Sequence, residues 1–191
     1  MASITLPNTF SANTTILSAE VNSNFTTIYN DYNTSITNVN ISASAAIART
    51  KLASPPAMSA HNAAVAISVA TATNTDLSFS TMLINVDNMG DTAGRFTINT
   101  SGNYAMGAVV RYSANATGIR QIYFEKNADG INRGEAQNTT PSGASVTVLA
   151  FSILLPLVAG DYMKLRTYQN SGGNLDAITA VYSPVYAFLI Q

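Results

Sequence analysis

Cysteine is absent from the 191-residue chain, and histidine occurs once, at His61. Without thiols there is no disulfide framework, no thiolate metal site and no cysteine nucleophile. One imidazole assembles no histidine metal cluster, triad or base pair, and His61, set among small residues, reads as solvated filler. Charge is scarce as well: 10% of residues are charged, where about 25% is usual. The formal net charge is −1 and the nine Lys and Arg residues do not cluster, which excludes a phosphate-binding patch and with it a nucleic-acid partner. Long apolar runs are missing too. The longest, from Val146 to Ala159, is broken by Thr147, Ser152 and Pro156 and is too short to span a bilayer. The opening MASITLPNTF has no basic stretch followed by an apolar run, so no secretory signal or membrane partner is expected. The Asn-x-Ser/Thr triplets at Asn13, Asn24, Asn33 and Asn40 then read as a by-product of composition.

Catalytic chemistry finds little to work with. The ten carboxylates are scattered; the nearest pairs, Asp87 with Asp91 and Glu125 with Asp129, fall at turns. A glycosidase needs two facing carboxylates about 5–10 Å apart, which distant residues could supply only through the fold. Asp87, Asp91 and Asp129 could offer oxygens to calcium, but no dense Asp/Asn loop surrounds them and they read as surface turns. No nucleotide or phosphate motif occurs. No catalytic residue, metal ligand or cofactor is therefore assigned.

What is present is amide and hydroxyl: Asn, Ser and Thr number 20, 19 and 22, a polar but uncharged surface suited to burial in an assembly. Residues 1–16 read as an extended segment. From Leu17 to Ile41 the apolar residues Val21, Phe25, Ile28, Tyr32 and Val39 fall in steps of four, three, four and seven, a heptad seam with a polar gap at Ser35. Ser18 is the expected N-cap, and Glu20 suits the positive end of the helix dipole. The intervening Asn and Thr residues are poor helix formers, so a lone helix of this length is marginal. The seam thus predicts a helical stalk that packs against copies of itself, set close by a partner domain that gathers the chains. Residues 42–61, rich in small residues and carrying Pro55 and Pro56, read as a linker. Arg49 and Lys51 read as solvated linker charges.

From residue 62 the period changes to two. Strands are expected at 64–73, around Leu77 and Phe79, and at 82–86, 95–99, 103–112, 119–127, 145–155, 162–169, 179–182 and 185–190. Turn residues such as Gly102, Gly160 and Asp161 separate them, the two glycines with positive φ. In 103–112, Tyr104, Met106, Ala108, Val110 and Tyr112 share one face. The nearly continuous apolar run 145–155 reads as a strand buried on both faces. So many short strands predict a mainly β, two-sheet jelly roll over 62–191.

Several of these pieces resemble one known family. Phe96 followed by Gly102, Asn103 and Tyr104 is similar to the "Phe … Gly-x-Tyr" strand pair of the complement-q and tumour-necrosis-factor-like (TNF-like) jelly rolls. Lys126 and Asn127, with the turn at Asp129 and Gly130, resemble its "Lys-Asn-Gly" hairpin. Leu157 to Leu165, through Gly160 and Asp161, resembles its "Leu-x-x-Gly-Asp-x-Val-x-Leu" segment. The closing run 185–190, with Tyr186 and Phe188, sits where the family has its last strand, and Phe79 with Asn85 stands for an earlier Phe … Asn pair. The likeness covers about residues 65–191. It implies a ten-strand sandwich that forms a homotrimer about a three-fold axis above a stalk, with Phe96, Tyr104, Met106, Tyr112, Tyr123, Leu157, Leu165, Tyr186 and Phe188 in the core or at the trimer interface. Some relatives bind calcium near the trimer apex.

The N-terminal part points elsewhere. Phe10 through Phe25, followed by Ile47 to Leu52, resembles a segment common at the start of bacteriophage virion proteins. The combined expectation is a non-enzymatic homotrimer, made in a host cytoplasm and carried on the virion surface as a capsid decoration protein or head fibre. Residues 1–16 would anchor it to a major capsid or tail protein. The alternative is a tail-fibre tip that binds a receptor or host-surface glycan through the segments 127–143 and 170–178; a non-viral trimeric ligand is a third reading.

Overall fold

The computed structural model describes residues 5–34, 41, 42, 44, 45, 47, 53–62, 66–139, 145–179 and 184–190, the side chains of 31–34 excepted. The chain forms two compact units, Met1–Ala53 and Ser54–Gln191.

The first unit is built on helix α1, Ser18–Thr34. Its N-cap is Leu17 rather than Ser18. The Leu17 carbonyl accepts the Val21 N–H at 3.3 Å, and the Glu20 carboxylate accepts the Leu17 N–H at 3.2 Å. Glu20 supplies the return half of a capping box, so an apolar residue can hold the cap position. The helix is shorter at its other end than the expected 17–41, since Ile41 lies in a bend; Val39 lies outside the described residues, as does the side chain of Tyr32. Inside the helix Thr26 and Thr27 turn their hydroxyls back onto the carbonyls of Asn22 and Ser23, which satisfies them locally.

The second unit contains twelve described strands: β1 (Ala57–His61), β2 (Ile67–Val69), β3 (Thr75–Asp76), β4 (Thr81–Val86), β5 (Arg95–Thr97), β6 (Gly102–Tyr112), β7 (Arg120–Lys126), β8 (Asn132–Asn138), β9 (Thr147–Leu157), β10 (Tyr162–Gln169), β11 (Leu175–Ile178) and β12 (Val185–Leu189). They make two antiparallel sheets. In the first, β9, β6, β12, β1 and β4 lie side by side, and β11 and β2 continue from the far end of β6. In the second, β10 is flanked by β7 and β8 on one edge and by β5 and β3 on the other. The short β2, β3 and β5 bring the strand number above ten.

Alternation drives the packing. Tyr104, Met106, Ala108, Val110 and Tyr112 of β6 face inward and are buried, opposite Met163 and Leu165 of β10 and Ile122 and Phe124 of β7. Phe79, Phe96, Phe124 and Phe151 form a chain of rings with successive centroids 5.7, 5.8 and 5.2 Å apart, spacings that favour offset and edge contacts.

Three expectations change. Residues 57–61, placed in the linker, form β1 between β12 and β4, with Met58 and Ala60 in the core; small side chains there fit a crowded central strand. His61 is accordingly buried at the end of β1, not solvated. β8 was not anticipated, because NRGEAQN shows no apolar alternation. Residues 175–178, inside a segment read as loop, form β11, whereas 180–182 of the strand expected at 179–182 lie outside the described residues.

Candidate interaction surfaces

The two sheets differ sharply in what they turn outward. On the first sheet the register sets Leu154, Ala105, Phe188 and Ala57 in one row and Ser152, Gly107, Tyr186, Ser59 and Ile84 in the next. Ala150 with Val109 and Val148 with Arg111 extend it. Arg111, at one end, is the single charged residue turned outward from β9, β6, β12, β1 and β4. Leu154 is 60% exposed, Val148 55% and Phe188 44%. The run expected to be buried on both faces is therefore covered on one only in a single chain: Leu149, Phe151, Ile153, Leu155 and Leu157 point in, and Val148, Ala150, Ser152, Leu154 and Pro156 point out. Two-sided hydrophobicity reports what the strand prefers, and one sandwich supplies only one cover.

Gly107 shapes this face. A Cβ there would fall 2.5 Å from the Tyr186 ring, so the absence of a side chain lets the ring lie over the β6 backbone, where it stacks on Phe188 at 5.9 Å. Beside it a groove of about 310 Å³ is lined by Val109, Ala150, Phe151, Ser152 and Tyr186.

The second sheet turns charge outward. Asp76 pairs with Lys164 and, at 2.8 Å, with Arg166, whose other side meets buried Glu125 at 3.0 Å. Tyr123 is buried on this same outer side, opposite Arg166 and Glu135. Burial lowers the Arg166 guanidinium, but Tyr123, Glu125 and Asp76 outweigh it and hold the group above its ordinary value. These charges are spent on one another.

The turn residues close the sandwich at one end. Asp161 is buried and accepts the Val158 N–H at 2.9 Å, the Asn127 amide at 2.8 Å and the Lys126 ammonium at 2.7 Å. Burial pushes its carboxyl up, yet Lys126, Val158 and Asn127 together hold it below the ordinary 3.8. Gly160, at φ 95°, makes the turn. Gly102, at φ 159°, opens β6 with near-extended backbone. Asn127 and Ala128 both take positive φ, 52° and 55°, and the Asp129 N–H reaches the Lys126 carbonyl at 3.0 Å, a type I′ geometry. An alanine thus occupies a position suited to glycine.

One buried charge has only backbone acceptors among its partners. Arg120 is fully buried and donates to the carbonyls of Thr117 and Ile119 at 2.9 Å and of Asn115 at 3.1 Å, with no carboxylate among these partners. Burial lowers its guanidinium, with Tyr112 opposing. The sequence carries the signal: Arg120 alternates in phase with Ile122 and Phe124. Near it Thr167 is hydrogen-bonded to Tyr112, and buried Gln169 bonds the carbonyls of Val69 and Gly173.

The remaining sequence candidates fall as follows. Phe96, Tyr104, Met106, Tyr112, Leu157 and Leu165 lie in the core, while Tyr186 and Phe188 lie on the outer face of the first sheet. Asp91 accepts the Arg95 N–H, Asp129 holds the Ile131 N–H and Arg133, and the Asp87 carbonyl accepts the Asn99 amide. Among the described residues no three His, Asp or Glu side chains group to hold a metal ion, and no helix is long and apolar enough to cross a membrane. The segments 127–143 and 170–178, read as loops, include β8 and β11.

This sandwich matches solved structures. The globular domain of the zebrafish complement 1qA protein superposes with a TM-score of 0.54 at 15% identity, over 72% of this chain and 98% of that one. The Eiger TNF from S. frugiperda gives 0.53 at 12% identity, over 72% and 94%. The chain carries a TNF-like jelly roll. No protein-family model and no curated protein sequence matches it, so the jelly roll is shared at the level of fold.

Proposed function

We propose that this chain is a homotrimeric structural protein of a bacteriophage virion, a capsid decoration protein or head fibre, with residues 1–16 as anchor, α1 as stalk and the jelly roll as displayed domain. The observation that carries the proposal is the outer face of the first sheet, apolar across five strands and carrying one charge at its end. Soluble monomers rarely leave so broad an apolar face in water, and on the other sheet Asp76, Lys164, Arg166 and Glu125 are paired with one another. The resemblance to complement-q and TNF-like jelly rolls favours a closed three-fold assembly, which buries one such face per copy and leaves no open end. The virion context is supported by the sequence of residues 10–25.

The test is co-sedimentation of the purified chain with capsids lacking it. Binding that is lost on deleting residues 1–16 is expected. Failure to bind capsids, together with binding of the purified trimer to host cells or their surface glycans, would replace this reading with the tail-fibre tip.

A further inference from the structure

We propose that Asn24 is an intrachain latch that fixes which face of α1 meets second copies of this chain; the proposal rests on the stalk reading above. Asn24, at 9% exposure, is the most buried side chain described in the first unit. Its amide treats Asn8 as one strand treats its neighbour. The Asn8 N–H donates to Asn24 Oδ1 at 3.0 Å, and Asn24 Nδ2 donates to the Asn8 carbonyl at 2.9 Å. The Asn8 amide then reaches the Glu20 carbonyl at 3.2 Å. Both backbone groups of Asn8, in the arm of residues 5–16 that precedes α1, are satisfied by one helix side chain, the pairing that neighbouring strands use.

The position of the latch decides what is left open. Glu20, Asn24 and Thr27 share one face of α1, and Val21, Phe25 and Ile28 lie about 100° round the axis. With the arm at Asn24 and Glu20, the stripe remains clear: Phe25 is 66% exposed and Ile28 42%. Second copies are the fitting occupant. The stripe repeats at heptad spacing, and the only acid in the first turn, Glu20, is used on the Leu17 N–H. A neutral seam carries no flanking charge to select a different partner.

Because the chain has no cysteine, single introduced thiols report the packing. Full-length Ile28→Cys should form interchain disulfides under mild oxidation. Thr27→Cys, on the arm side, should do so roughly tenfold more slowly, the shift that net hydrogen bonding of this kind gives. Adding Asn24→Ala, which suits a helix better than Asn, should bring the Thr27→Cys rate up toward that of Ile28→Cys. Equal rates with Asn24 present, or no response to Asn24→Ala, would overturn the latch. If neither position cross-links in a chain that sediments as a trimer, the stalk reading fails instead. The Asn8→Cys/Asn24→Cys variant then decides the latch alone: intrachain closure supports it, and its absence refutes it.

Discussion

Placing a charge at Leu154 tests the assembly face most severely. Leu154 is 60% exposed and points outward from β9. Covering its exposed part removes on the order of 100 Å² of apolar surface, about 2.5 kcal/mol per copy at roughly 25 cal/mol per Å². Three copies give about 7.5 kcal/mol per trimer by the same scale. Leu154→Asp forfeits that and adds several kcal/mol for each carboxylate taken out of water without a partner. The total exceeds roughly 10 kcal/mol, and at about 1.4 kcal/mol per factor of ten the trimer should be absent at micromolar concentration. The fold of one chain should survive, because an exposed position off the core usually shifts stability by about 0.5 kcal/mol. Sedimentation equilibrium should therefore report the monomer mass of 20.1 kDa with unchanged far-ultraviolet circular dichroism. Gln137→Asp, exposed on β8 of the other sheet, serves as the control and should leave the mass of wild type. A Leu154→Asp protein that sediments like wild type would refute the argument that this face assembles.

Three further outcomes follow from particular residues. Ala128→Gly should raise the melting temperature by about 2–3 °C, since alanine at φ 55° carries about 1 kcal/mol of left-handed strain that glycine relieves in part; a lower melting temperature would show the strain to be offset elsewhere. Arg120→Ala should lower stability by about 3 kcal/mol, measured by urea unfolding, because three carbonyls lose their donor and a cavity opens. Asp161 links stability to pH. Its folded carboxyl is held below the ordinary 3.8, so its contribution is present above that value and is lost as pH falls through the lower folded value. Asp161→Asn should flatten the melting curve's pH dependence below about pH 4, where the wild type declines; parallel curves would show that other carboxylates carry the acid response.

The sequence was legible where one face of a strand meets the core. β6 and β10 alternate cleanly, and the inward set from Tyr104 to Tyr112 was read residue by residue. β8 gives no apolar signal because its inward positions include only Gly134 and Ala136, the latter packed on the core, while Asn, Arg, Glu and Gln fill the rest; its backbone pairs with β7. β1 reads as linker in sequence because AMSAH is small and follows Pro55 and Pro56, and only the sheet supplies the neighbours that bury it. The run 145–155 showed that both its faces favour burial, but not where the second cover comes from. In the first unit the seam was visible as a period, whereas the Asn24 latch was not: a side chain that bonds a distant backbone leaves no periodic trace.

Self-association in threes is the central claim, and the mass of the intact chain in solution tests it most directly. Sedimentation equilibrium of the wild-type protein across micromolar concentrations should give three times the 20.1 kDa of one chain, without dissociation on dilution. A single species at the monomer mass would contradict the account.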